Sequence, residues 1–125
     1  MNMMALHDYF DTVAPVQHKL GALDCVRFVT DAVFIGWGRD YRAILQYNDR
    51  RTAISRLRAL GGLKGACSHA MGEMYMIDAL SPGDVVYFDK PSPTIGLLME
   101  HYVLVKQGTT LHRLEREPQI QGWRT

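Results

Sequence analysis

Asp24-Cys25 heads the apolar run Cys25-Val26-Arg27-Phe28-Val29-Thr30-Asp31-Ala32-Val33-Phe34-Ile35. The run reads as a buried helix with a thiol in its first turn. Asp24 is a good N-cap, because its carboxylate can accept from the backbone N–H of Val26 or Arg27. A helix N-terminus carries partial positive charge and favours a thiolate over a thiol. Cys25 is therefore a candidate nucleophile. The plainer alternative is a small apolar filler, since free cysteine is among the most buried residue types.

The rest of the chain must position that thiol. With 125 residues, 47% apolar content and a net charge of +1, it is expected to be one domain with a single core. Near-neutral charge gives no global push toward nucleic acid. No apolar run approaches the roughly 18 residues that span a bilayer, so no membrane association is expected. Residues 1–8 lack a basic run followed by an apolar stretch, and no secretory signal is expected. Cys25 and Cys67 form no CxxC motif, and reduced thiols made in a cytoplasm are the default. Cys67-Ser68-His69 brings two ligand-type side chains together, but structural zinc needs about four. No metal and no cofactor are expected.

Leu6, Phe10 and Val13 recur at helical spacing and predict a first helix over 3–13, ended by Pro15. The helix from Cys25 to Ile35 is apolar nearly all round, as a central helix is, and Gly36-Trp37-Gly38 closes it. A short helix is expected over 40–46. A clearer one spans 49–60, with Ile54, Leu57 and Leu60 inward and Arg50, Arg51, Arg56 and Arg58 outward, stopped by Gly61-Gly62. Those arginines fit either a solvated helix face or an anion site. Residues 63–79 are expected to be helical in part. Short apolar runs then follow at 85–88, 94–99, 102–106 and 109–114, separated by Pro and Gly turns. Helices first and strands after give an α+β class, with a helical layer on an antiparallel sheet of about four to five strands. Residues 117–125 lack periodicity. Two placements are open for them: a docking tail anchored on a neighbour by Trp123, or a segment folded back onto its own domain.

Several of these residues resemble a family. NlpC-type peptidoglycan peptidases, of the papain-like superfamily, open their catalytic helix with Asp-Cys, here Asp24-Cys25-Val26-Arg27-Phe28-Val29. They carry a Pro-Gly-Asp-led strand, matched by Pro82-Gly83-Asp84-Val85-Val86-Tyr87-Phe88, and a His-Val-Gly-Ile strand, matched in its middle by Ile95-Gly96-Leu97. The whole chain is similar to a group of phage tail proteins related to these peptidases. The shared features are Gly38-Arg39-Asp40, the helix end from Leu57 to Gly62 and the terminal Trp123-Arg124. The resemblance implies a virion tail-tip location and hub and distal-tail subunits as partners, with peptidoglycan as a further one. Interface candidates are then Trp37, Tyr41, Tyr47, Met71, Met74 and Met76, for all of which ordinary core packing is the alternative.

The family's catalytic histidine falls at Thr94, and threonine has no useful proton affinity near neutral pH. The third polar position falls near Leu104 or Val105, which are apolar. Of the implied catalytic set, only Cys25 remains. His7, His18, His69, His101 and His112 are the substitutes to examine. Losing the base of a catalytic triad removes several orders of magnitude of rate. The expectation is a tail-tip component with degenerate catalysis. The alternative is an active cysteine peptidase or amidase that cuts peptidoglycan peptides as the genome enters the cell. A third is a binding domain that keeps the groove without the chemistry.

Overall fold

A computed structural model of the chain describes residues 1–15, 24–44 and 50–125, apart from the side chains of Asp24, Arg50 and Ala53. Among these residues the fold is α+β: four α-helices and a six-stranded antiparallel sheet. The helices are α1 (Met3–Val13), α2 (Asp24–Trp37), α3 (Arg50–Ala59) and α4 (Gly62–Met71). The strands are β1 (Met74–Met76), β2 (Val85–Phe88), β3 (Thr94–Leu98), β4 (Val103–Gln107), β5 (Thr110–Leu114) and β6 (Gln121–Trp123), in the order β1-β6-β2-β3-β4-β5.

α1 starts where its sequence says it should. The Asn2 side chain accepts from the Ala5 N–H at 3.1 Å, an N-cap bond, and Leu6, Phe10 and Val13 are the buried residues of the helix. It packs against α2, with the Tyr9 and Phe28 rings stacked at 6.0 Å between centroids. α2 in turn lies on β3 and β4. Its Thr30 is buried, and the hydroxyl donates to the Val26 carbonyl at 2.8 Å, so this polar group is satisfied within the helix.

The sheet separates two apolar clusters, as a period of two requires. Val85, Ile95, Leu97, Leu104 and Trp123 face the helices and pack in one cluster with Cys25, Phe28, Val29, Ala32 and Cys67. Val86, Leu98, Val103, Val105 and Ile120 form the other with Ile77 and Leu80.

Strands β2 to β5 form the expected meander, with Val85 opposite Leu97, Leu97 opposite Leu104 and Leu104 opposite Arg113. The sheet is nevertheless wider than four or five strands, because β1 and β6 were not legible as strands. β6 comes from the segment for which a docking tail was one of two placements. Here it folds back: it lies between β1 and β2, and Trp123 is fully buried. Gly122 makes that insertion possible. A Cβ there would sit 2.1 Å from the Val85 carbonyl oxygen. The last residues are tied down as well. Thr125 N–H donates to Asp84 Oδ1 at 3.0 Å, and the Arg124 guanidinium lies 4.1 Å over the Tyr75 ring.

Three smaller expectations change. Ile54 was placed inward on α3 but is 38% exposed, while Leu57 and Leu60 do pack against the core. Residues 42–44 form a turn rather than the start of a helix over 40–46, whose remainder, with Tyr47, lies outside the described residues. Of the interface candidates among the described residues, Trp37, Tyr41, Met71 and Met74 are partly buried against the core, and only Met76 is exposed.

Candidate functional site

Cys25 is the second residue of α2, so its thiol sits in the helix's first turn. The first backbone N–H groups of a helix have no intrahelical acceptor and point toward whatever caps it. The side chain is only 3% exposed and belongs to the helix-facing core cluster. It also borders a cavity of about 210 Å³, lined by Cys25, Pro91, Ser92, Pro93, Thr94, Lys106, Gln107 and Gly108. Three elements meet there: the start of α2, the start of β3 with the loop before it, and the end of β4 with its hairpin turn.

That meeting follows from the register. Leu97 pairs with Leu104, so the first residue of β3 lies beside the last residues of β4. Gln107 pairs with Thr110, leaving Gly108-Thr109 as a two-residue hairpin loop. Gly108 has φ +59°, and no described non-glycine residue, Thr109 included, takes a positive φ, which is the pattern of a type II′ turn. Thr94 borders the cavity. Strand alternation assigns it to the face of Gly96 and Leu98, away from the helices.

No imidazole lines this cavity among the described residues. His7, His69, His101 and His112 are all exposed. His101 lies 3.9 Å from Glu100 with both side chains in solvent. His18 lies outside the described residues.

The group that sequence reasoning missed is Lys106. It is only 3% exposed, and its ammonium donates to the Gly108 carbonyl. The third polar position was sought at Leu104 or Val105. Lys106 lies two residues beyond Leu104, on the same helix-facing side. The signal was available: Leu104 is an inward position, so Lys106 must be one too. A lysine closing an apolar strand simply reads as its solvated end.

Cys67 gives the contrast. It lies within α4, is fully buried, and carries a thiol pushed up to about 12, first by burial and second by the neighbouring Cys25. The adjacent Ser68 accepts from Trp123 Nε1 at 3.0 Å. This region is built for packing. The motif residues at 38–40 are exposed and are held by surface contacts. Arg42 grips Asp40 with two guanidinium contacts of 2.9 and 2.8 Å and holds its carboxyl down at about 2, while Arg39 donates to Thr125 Oγ1 at 3.0 Å.

Among the described residues, no group of three or more His, Cys, Asp or Glu is arranged to hold a metal ion, and no helix is long and apolar enough to cross a membrane. The family model described as Domain of unknown function (DUF6950) matches residues 3–125. The chain belongs to that family. The DUF6950 match runs from the first residue of α1 through β6, and so includes all three elements around Cys25. No curated protein and no solved structure matches the chain.

Proposed function

We propose that this DUF6950 chain is a tail-tip component of a phage or phage-like particle, built on an NlpC-type papain-like scaffold whose catalysis is degenerate. One observation carries the reading. The thiol at the head of α2 meets the start of β3 at a cavity, and Thr94, which the resemblance sets at the histidine position, borders it. The described residues around that cavity include no histidine, where that chemistry calls for an imidazole.

A surface feature supports an assembly role. Asn2 N–H donates to the Gly36 carbonyl at 2.7 Å, which sets the start of α1 beside the end of α2. Met3, Met4 and Phe34 are exposed on these two helix ends. Methionine and aromatic side chains are enriched where protein subunits meet. Hub and distal-tail subunits are the proposed partners, and the virion tail tip the proposed location.

A second reading, an active cysteine peptidase or amidase acting on peptidoglycan peptides, is favoured by the opening of Cys25 onto a cavity at a helix N-terminus, where backbone N–H groups could hold an oxyanion. Two measurements separate them. Mass spectrometry of purified tails from the encoding phage is expected to find the chain, and a peptidoglycan zymogram of the wild-type protein is expected to show no clearing. A clearing zone that disappears in Cys25→Ala would replace the structural role with the enzymatic one. Absence of the chain from purified tails would remove the tail-tip assignment.

A further inference from the structure

β5 is an edge strand, and an edge presents backbone groups with which another chain can pair. The register says which groups these are. The two-residue loop makes Gln107 and Thr110 the closing hydrogen-bonded pair, and bonded and non-bonded pairs alternate from there. Thr110, His112 and Leu114 therefore bond inward to β4, while Leu111 and Arg113 turn their N–H and C=O outward. Among the described residues, no hydrogen bond outside the strand ladders uses those outward groups. β5 spans five residues without a proline and ends on Leu114, which is 40% exposed. The opposite edge differs: β1 has three residues, and the Arg124 guanidinium covers Tyr75 at its centre.

The residues at the end of β5 complement themselves. When two copies of Arg113-Leu114-Glu115 run antiparallel about Leu114, Arg113 of each stands opposite Glu115 of the other, and Leu114 opposite Leu114. Arg113 and Glu115 are both exposed. The Arg113 guanidinium is held 4.6 Å over the Tyr102 ring, on the face that its pairing with Leu104 sets. The Glu115 carbonyl accepts from the Glu117 N–H at 3.1 Å and keeps a second lone pair.

We propose that this edge pairs with the same edge of a second copy, in an antiparallel two-fold dimer centred on Leu114. The two six-stranded sheets then run on as one. A two-fold interface makes each contact twice, so two Arg113–Glu115 pairs flank the Leu114 contact. Opposite charges directly across a strand pair stabilise it, and like charges destabilise it. Edge pairing covers less than about 1,200 Å² and belongs with weak interfaces. It rests on β5 and the residues after it, so it stands or falls independently of the tail-tip assignment.

Sedimentation equilibrium of the full chain tests it. The average mass is expected to climb from 14.2 kDa toward twice that value over roughly 10 μM to 1 mM, as a weak dimer does. Arg113→Glu sets glutamate against glutamate, and Glu115→Arg sets arginine against arginine. Each alone should weaken dimerisation by about tenfold or more. Mixed in equal amounts, the two variants restore opposite charges at both pairs and should associate as the wild type does. Leu114→Cys brings two thiols onto the axis, where a non-bonded pair holds its Cα atoms about 4.5 Å apart, within the span of a disulfide. Oxidised glutathione should link that variant into a dimer, and adding Arg113→Glu should abolish the link. A wild-type mass that stays at 14.2 kDa throughout overturns the proposal. So do single charge variants that dimerise as tightly as the wild type, which moves the contact to another surface such as Met3, Met4 and Phe34. A mixture that stays monomeric overturns it as well, as does a Leu114→Cys chain that does not link. If a charge variant does not fold, the wild-type masses and Leu114→Cys decide alone.

Discussion

Cys25 and Cys67 belong to one apolar cluster, and less than a tenth of either is exposed. Their surroundings differ in kind. Cys25 lies at a helix start against a cavity that also holds a buried ammonium. Cys67 lies along a helix, and burial holds its proton firmly. A fractional exposure therefore says little about reactivity. What matters is whether the sulfur faces a space that admits a reagent and whether nearby charge favours its anion. One side of the molecule keeps a potential reaction site, and the other spends an identical side chain on packing.

The sharpest test of that contrast is Cys67 itself. Its thiol is pushed up to about 12, some three decades above the pH at which an ordinary thiol, with a pKa of about 8.5, ionises. Alkylation of Cys67 in the folded protein should thus be about a thousandfold or more slower than that of an unhindered thiol, since the thiolate is the nucleophile. Peptide mass spectrometry after timed iodoacetamide treatment checks this. Equal rates at both cysteines would erase the contrast.

Stability should divide the two regions next. Trp123 is fully buried, packs edge-on against Tyr87 at 6.0 Å between ring centroids and closes the Cys67 side. Trp123→Ala is expected to cost about 3–5 kcal/mol in urea unfolding, the range for deleting a large core aromatic. Thr94→Ala at the cavity should change stability by less than about 1 kcal/mol, since it removes little buried surface. A mild effect of Trp123→Ala would mean that β6 does not carry the core as the fold indicates.

Why was one region legible in the sequence and the other only partly so? Leu6, Phe10 and Val13 announced α1 through spacing, and the apolar stretch after Asp24 announced α2. The four hairpin-linked strands were bounded by Gly and Pro signals that work at short range. β1 and β6 were not legible because each has three residues, too few for an alternation to declare itself. Their pairing joins Met74 to Trp123, a long-range contact that no local pattern encodes. At the site, Cys25 and Thr94 could be picked out. Lys106 was missed because a lysine that closes an apolar strand reads as its solvated end, although alternation from Leu104 turns it inward. Ile54 shows the opposite error: helical spacing marked it as inward, but α3 buries a narrower stripe, with Leu57 and Leu60 against the core.

The alkaline limb of stability isolates Cys67 further. Its folded-state value is raised from 9.0 to about 12. Below pH 9 the thiol is protonated in both states and its contribution is fully present. As pH rises from about 9 toward 12, the unfolded chain ionises while the folded one does not, so stability falls by up to about 1.4 kcal/mol per pH unit. Burial raises Tyr9 in the same direction, so some loss should persist in any variant. Cys67→Ala should flatten the decline of urea midpoints above pH 9. An unchanged slope would show that this thiol is not the group being held.

The smallest effect concerns two serines that sit beside the two thiols. Ser68 follows Cys67 in the chain and accepts the Trp123 Nε1–H at 3.0 Å. Ser68→Ala removes the acceptor and leaves an indole N–H without its partner in a part-buried setting, a loss of about 1 kcal/mol. Ser92 borders the Cys25 cavity on its loop side. Ser92→Ala should leave unfolding within about 0.5 kcal/mol of wild type and act on the rate at which iodoacetamide alkylates Cys25 instead. If the two substitutions exchange these effects, so that Ser92 governs stability and Ser68 governs reactivity, the division between a packing side and a reactive side is drawn in the wrong place.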